Sequence, residues 1–308
     1  MPGYRTKINS NHGRCWNNIF DDLSGSGLAI DLTMDATFPI MTLELAREIE
    51  QMDIDYSVSR MGGMRSAPDN PLGIEIQYFG DTVAFLIKSW PDFWYGQKVL
   101  GLSSKDSSYL GDILRMFQED QLDFRFEIIP GNLDEELAAS LNKLGFVQTG
   151  FSTALYGIPR QVAQLPPSNI TVQPVVPSQI DLFIDLYQDS FEYHRLVEKE
   201  KQVVKNWIET ASPALDCYLA YVDNIPAGIG ILFFNGKMAL LADAAVLPRY
   251  RSGGCHTALI QLRIERALER NCTLLTSFPA FGSSSHRNLE RAGLRIAYTK
   301  TIWYRRAV

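Results

Sequence analysis

The residues of this chain best placed to do chemistry stand together in one turn: Arg251, Ser252, Gly253, Gly254, Cys255, His256 and Thr257. An apolar run at 238–247 leads to Pro248 before them, and an amphipathic stretch at 257–270 follows. A strand that ends at a proline and turns through glycines into a helix bares successive backbone N–H groups at the helix start. Those donors sit at the positive end of the helix dipole, and together they suit a pyrophosphate. Gly253 and Gly254 let the backbone approach an anion closely or take positive φ. Arg251 can add a charge-assisted contact. The same residues also fit an ordinary strand-to-helix turn with a solvated arginine. The Gly-Lys-Ser/Thr ending of a nucleotide P-loop is missing.

The elements that must hold this turn fall into two similar series. In the first, a helical pattern at 42–60 ends at Gly62-Gly63, and strands at 73–79 and 82–88 flank the hairpin signal Gly80-Asp81. A helix at 107–119, a strand at 124–129, a helix at 134–144 stopped by Gly145, and a strand at 147–156 complete it. The segment 159–168 is polar, proline-rich and aperiodic, which marks a linker. The expected boundaries are a first lobe at 1–160, a linker at 161–168 and a second lobe at 169–308. The second lobe reads as a strand at 170–176, helices at 177–193 and 199–210, and strands at 216–222 and 227–234 around Asp223-Asn224. The strand at 238–247 and the helix at 257–270 follow, then a strand at 272–277, a helix at 285–292 and a strand at 295–305. In the helix at 257–270, Ile260, Ile264, Ala267 and Leu268 form the buried stripe, while Arg263, Glu269 and Arg270 face water. Residues 141–156 lie without gaps on 289–304, with Leu, Gly, Thr and Tyr recurring in step. Duplication accounts for that echo, as does the general likeness of helix-glycine-strand units.

Composition restricts the partners. The 308 residues are 46% apolar and 21% charged with a net charge of −6, enough for two packed lobes. That balance argues against nucleic acid, which needs a broad basic face, and against an anionic membrane surface. Cys15, Cys217, Cys255 and Cys272 are widely and irregularly spaced, so neither zinc nor a disulfide framework is indicated. Residues 1–20 lack the apolar segment of a signal peptide, and no run approaches the ~18 apolar residues of a membrane span. A soluble, cytoplasmic protein is expected.

The turn Arg251-Ser252-Gly253-Gly254-Cys255-His256 resembles motif A of the GNAT acyltransferase superfamily, Arg/Gln-x-x-Gly-x-Gly/Ala. The order of elements over 170–308 looks like that fold, and the segment Ser285 to Leu294 is similar to the family's Asn-containing helix and its glycine stop. In the first half, Phe126-Glu127-Ile128-Ile129-Pro130 and Leu144-Gly145-Phe146 resemble a degenerate partner lobe. The resemblance implies an α+β fold of tandem GNAT-like lobes, each a mixed, mainly antiparallel sheet flanked by helices. It implies an N-acetyltransferase using acetyl-CoA as co-substrate and a small-molecule or peptide amine as acceptor, in a monomer or homodimer. A non-catalytic acyl-CoA-binding or scaffold protein is the alternative. The chain departs from the pattern twice: His256 stands in place of the last small residue, and Leu289 where many members carry an acidic tyrosine. The first lobe offers residues 100–108 where the loop should be, with no arginine and no paired glycines, so it is expected to be a wall or scaffold.

The resemblance also distributes roles. Val246, Arg251, Ser252, Gly253, Gly254, Cys255, His256, Thr257 and Asn288 would hold the cofactor, with the Val246 N–H facing the developing oxyanion. Asp243, three residues before Val246 in an apolar run, is the candidate base, or else a solvent-facing or bulge-capping carboxylate. Tyr298 and Tyr304 are candidate acids for the leaving thiolate, or packed residues with a hydrogen-bonded tip. Glu192 and His194 lie where the acceptor would be chosen, or simply end a helix. Cys255 starts a helix, where a thiol pKa can be lowered, but it has no acid–base partner in view. Trp90, Trp94 and Tyr95 either pack between lobes or line an acceptor channel.

Overall fold

Thr42 opens the first helix. Its hydroxyl accepts from the Leu45 N–H at 3.2 Å, and α1 runs Leu43–Arg65. The computed structural model describes residues 38–91, 93, 96–161, 167–193 and 195–305. Cys15, Trp94, Tyr95, His194 and most of the expected linker at 161–168 lie outside the described residues.

Helix α1 continues through Gly62-Gly63, which the sequence read as its end. A Cβ on Gly63 would lie 2.9 Å from the Trp207 Cα and from the Thr210 Oγ1. The glycines let α1 pack against a helix of the second lobe, and the Asn206 amide donates to the Gly63 carbonyl at 2.7 Å.

After α1 come β1 (Ile74–Phe79), β2 (Thr82–Ile87), β3 (Lys98–Leu100), α2 (Leu110–Glu119), β4 (Arg125–Ile128), α3 (Glu135–Lys143) and β5 (Phe146–Gly157). The second lobe has β6 (Ile170–Pro174), α4 (Ile180–Phe191), α5 (Glu198–Thr210), β7 (Leu215–Val222), β8 (Ile225–Asn235), β9 (Met238–Val246), α6 (Cys255–Glu269), β10 (Leu274–Ser277), α7 (Ser284–Arg291) and β11 (Arg295–Arg305). The hairpin turns have the chemistry the sequence requires: Gly80 at φ +66, and Asp223 and Asn224 at φ +50 and +64. The three-residue β3 is too short to leave a period in the sequence.

All strands join one mixed, mainly antiparallel sheet in the order β1-β2-β3-β4-β11-β5-β10-β9-β8-β7-β6. The closing strands are exchanged between lobes. β5 lies against β10 of the second lobe, and β11 lies against β4 of the first. Between them β5 and β11 pair antiparallel, Arg295 opposite Tyr156 and Tyr304 opposite Val147. The internal echo lays Val147 on Arg295 and Tyr156 on Tyr304, so this register is the one a local two-fold axis demands. A shared apolar core joins α1, β1 and β2 to α4, α5 and β7–β9, and residues from Ile40 onward cluster as one unit. The fold is α+β, with both lobes contributing strands to one mixed sheet flanked by helices.

Candidate functional site

The strand β9 carries a defect that opens the site. Its pairing with β8 shifts register between Gly230 and Leu232, opposite Leu241 to Ala244. The residue that fills this bulge is Arg263, buried at 1% exposure, where the sequence placed it in water. Its guanidinium donates to the Ile231 carbonyl at 3.0 Å and the Ala242 carbonyl at 3.2 Å, groups that a regular ladder would have satisfied.

Beyond the bulge, the Leu247 N–H donates to the Ala227 carbonyl at 2.8 Å, while Val246 lies opposite Gly228. Antiparallel pairs alternate between bonded and non-bonded, so the Val246 N–H and C=O point away from β8. On that other side β10 pairs with β9 only at Met238 to Leu240, and the two have parted before Val246. Among the described residues, neither β8 nor β10 accepts from the Val246 N–H, which faces the split between strands.

The following turn opens into the same space. Ser252 has φ +66 and Gly254 has φ +94, and α6 begins at Cys255. Among the described residues, no carbonyl accepts from the backbone N–H of Ser252, Gly253, Gly254, Cys255, His256 or Thr257. Gly253 is open: a Cβ there would meet nothing nearer than the Tyr250 oxygen at 3.6 Å. A groove runs past Val246, Arg251, Ser252, Gly254, His256 and Thr257 to Ser284, Ser285, Arg287, Asn288 and Arg291 of α7. The bared amides and three arginines on its walls form a local basic channel in an acidic protein.

The side chains of the turn sit differently from their expected places. The Arg251 guanidinium does not reach into open groove; it donates to the Val246 carbonyl at 3.1 Å, the Ser190 carbonyl at 3.1 Å and Glu192 at 3.3 Å. It ties the end of β9 to the end of α4, and Glu192 belongs to this clamp. His256 Nδ1 and the Asn288 amide lie 3.2 Å apart, and Arg291 donates to the Asn288 oxygen at 2.9 Å. Burial, with Arg263 adding to it, pushes the His256 imidazole down to about 4, so a neutral ring lines the groove. Cys255 is buried, and burial raises its thiol to about 11, opposite to the lowering a helix start alone would give.

A second cleft adjoins the groove, sharing Phe191, Ala244 and Ser285. It is walled by α1, β3, β9 and the 277–285 segment, so the first lobe supplies half of it. At its edge stands Asp243. Its Oδ2 accepts from Tyr187 at 2.8 Å, Arg60 at 3.0 Å and Tyr56 at 3.1 Å. The apolar run in the sequence concealed this surrounding, because all three partners come from helices distant in the chain. Burial, with the Asp243 charge adding to it, holds the Tyr56 phenol well above its usual value; the Tyr187 phenol is raised mainly by burial as well. Asp243 Oδ1 has no hydrogen-bond partner among the described residues.

Tyr298 lines neither cleft. Its hydroxyl is buried without a hydrogen-bond partner among the described residues, within electrostatic reach of Lys300, Glu50, Asp53 and Glu127. Tyr304 pairs with Arg125 and Val147 in the sheet, also away from the groove. Leu289 is core, at 2% exposure. Ser285, where the two clefts meet, carries a hydroxyl with no partner among the described residues; beyond its place in a serine run, nothing in the local sequence singles it out. Trp90 and Phe93 line a neighbouring aromatic cavity, which shares Arg60 and Phe93 with the second cleft.

Residues 180–293 match the model of the Acetyltransferase (GNAT) family. The fold is similar to that of a GCN5-related N-acetyltransferase from Kribbella flavida, with a TM-score of 0.58 at 15% identity over 82% of this chain and 95% of that one. It is also similar to a tandem GNAT protein from the clavulanic acid biosynthesis pathway, with a TM-score of 0.54 at 13% identity over 82% and 94% of the two chains. A functionally unknown conserved protein from Staphylococcus epidermidis ATCC 12228 gives a TM-score of 0.53 at 15% identity over 77% and 96%. No curated protein sequence matches the chain.

Proposed function

From the premise that residues 180–293 are a GNAT acetyltransferase-family domain within a tandem GNAT-like fold, we propose that this chain is an acyl-CoA-dependent N-acyltransferase. It transfers acetyl from acetyl-CoA to an amine by direct attack in a ternary complex. The observation that carries the proposal is the row of unengaged amides from Ser252 to Thr257, aligned with the bare Val246 N–H in one groove. A diphosphate fits that row at the start of α6, and Arg287, Asn288 and Arg291 flank it along the groove.

Bound acetyl-CoA supplies a thioester, whose C–S bond breaks as the amine forms its C–N bond. Val246 donates its N–H to the carbonyl oxygen as negative charge builds there, a kind of contact worth about a hundredfold or more in rate. Asp243, which lines the second cleft with Oδ1 unpartnered among the described residues, takes the proton that the attacking ammonium must lose. Ser285 stands at the junction of the clefts and donates to the departing sulfur, in place of the tyrosine that Leu289 replaces. The two clefts hold donor and acceptor against each other, which supplies several kcal/mol by proximity.

The first lobe, 1–160, serves as acceptor wall and the second, 169–308, as the cofactor-binding lobe, in a monomer or homodimer. Free, buried Cys217, Cys255 and Cys272 fit a reducing compartment, the cytoplasm. Among the described residues, no helix is long and apolar enough to cross a membrane.

The test is thiol release from acetyl-CoA with a panel of amines. Release that depends on both substrates supports the proposal. Saturable CoA binding with no release on any amine moves the chain to the acyl-CoA-binding or scaffold alternative.

A further inference from the structure

One wall of the second cleft carries a cation whose single carboxylate neighbour lies beyond hydrogen-bond length. Lys98, on β3, is 6% exposed and lines the cleft. Its ammonium lies 3.6 Å from Asp53 Oδ1, beyond hydrogen-bond length, and donates no hydrogen bond among the described residues. Asp53 is shared: its Oδ2 holds Lys300 at 2.5 Å and its Oδ1 faces Lys98. Lys300 is in turn shared with Glu127 at 2.8 Å, and Glu127 also holds Arg125. Lys98 stands at the rim of this ionic network, joined to it by the loose pair with Asp53.

One turn along α1 from Asp53 is Ser57, 5% exposed, also lining the cleft and also without a hydrogen-bond partner among the described residues. An ammonium with three donors, one loose carboxylate neighbour and no hydrogen-bond acceptor among the described residues is incompletely satisfied. A cation and a hydroxyl on one wall of a cleft that opens to solvent are completed by an anion entering it. Asp53 beside Lys98 repels a dianion, so a singly charged, two-oxygen group fits better than a phosphate. Asp243 lines the same cleft, and its Oδ1, without a hydrogen-bond partner among the described residues, is a place for a protonated amine.

We infer that the acceptor is an amino carboxylate, bound by its carboxylate on Lys98 and Ser57 with its amino group toward Asp243. This rests on the assignment of the second cleft as the acceptor site. It adds a substrate class to the acyl transfer, and it makes Lys98 and Ser57 residues that select the acceptor.

The test is calorimetric titration of the full chain loaded with CoA. The probes are the standard α-amino acids, β-alanine and γ-aminobutyrate, each against its carboxamide, with phosphoethanolamine as the competing anion class. At least one free acid is expected to bind about tenfold to a hundredfold tighter than its amide, the worth of a charge-assisted hydrogen bond. Lys98→Met should erase that ratio with CoA affinity unchanged, and Ser57→Ala should reduce it severalfold. Equal affinity for acid and amide throughout, binding of neither, or preference for phosphoethanolamine overturns the inference. The wild-type comparison alone decides this, whether or not Lys98→Met folds. A bound amino acid with no thiol release would leave the recognition standing and remove the acyltransfer.

Discussion

Arg251 acts through what it holds. Its guanidinium fastens the Val246 carbonyl, the Ser190 carbonyl and Glu192 together, so it fixes the direction of the Val246 peptide and the mouth of the groove. Arg251→Glu sets a carboxylate against those carbonyls, beside the turn proposed to hold a diphosphate. The side chain is half exposed, at 51%, so the melting temperature should move little. CoA affinity should fall at least about tenfold, since like charge replaces a charge-assisted clamp; calorimetry reads both quantities on one sample. Asp243 is a different case. Three donors aim one of its oxygens, and the other has no hydrogen-bond partner among the described residues. Asp243→Asn keeps the shape and removes the proton acceptor, so kcat should drop about a hundredfold or more with CoA affinity kept. An unchanged kcat would assign Asp243 to structure alone.

At the scale of elements, the site is made by a strand that is forced out of its ladder and a turn that cannot close on itself. Arg263 satisfies the bulge carbonyls from below, which frees β9 to part from β10. Gly254 then reverses the chain at φ +94, with the side chain of Pro167 close behind it. A Cβ at Gly254 would stand 3.3 Å from Pro167 Cδ and Cγ in a backbone conformation that L residues resist. Gly254→Ala should therefore cost about 1–2 kcal/mol in denaturant unfolding and weaken CoA binding, because relief of the strain rotates the amides at the start of α6. Loss of stability with unchanged CoA affinity would detach the turn from the cofactor.

At the scale of the whole molecule, the exchanged strands make the lobes interdependent. The fragment 169–308 would keep the phosphate turn but lose β5, the neighbour of both β10 and β11. It should show no cooperative unfolding transition and should self-associate through its exposed edges; a monomeric, cooperatively melting fragment would contradict this. The charged network under the first lobe gives a second test. Burial raises the Glu50 carboxyl to about 7, against Lys300 and the Gly101 N–H. The folded chain holds this proton more tightly than an unfolded chain whose carboxyl titrates at 4.5. The stabilisation is complete below that value and is lost as pH rises through about 7. Glu50→Gln, a fixed neutral form, should gain about 3 kcal/mol on wild type between pH 4.5 and 8 in urea unfolding. A constant difference across that range would rule out Glu50 as the titrating group.

The sequence by itself determined what depends on neighbours along the chain. The strand, proline, glycine turn and helix around Arg251, the hairpins at Gly80 and Asp223-Asn224, the helix-glycine-strand echo and the two lobes were all legible, because φ preferences, caps and periodicity are local. Only the tertiary structure decided what depends on partners far apart in sequence. It placed Tyr56, Arg60 and Tyr187 on Asp243, buried Arg263 under a bulge that no periodicity reports, kept α1 helical through Gly63 because Trp207 packs there, and sent Tyr298 away from the groove by exchanging the closing strands. Each of these outcomes is fixed by the satisfaction of buried polar groups or by close packing, and both require a second segment that the local sequence does not name.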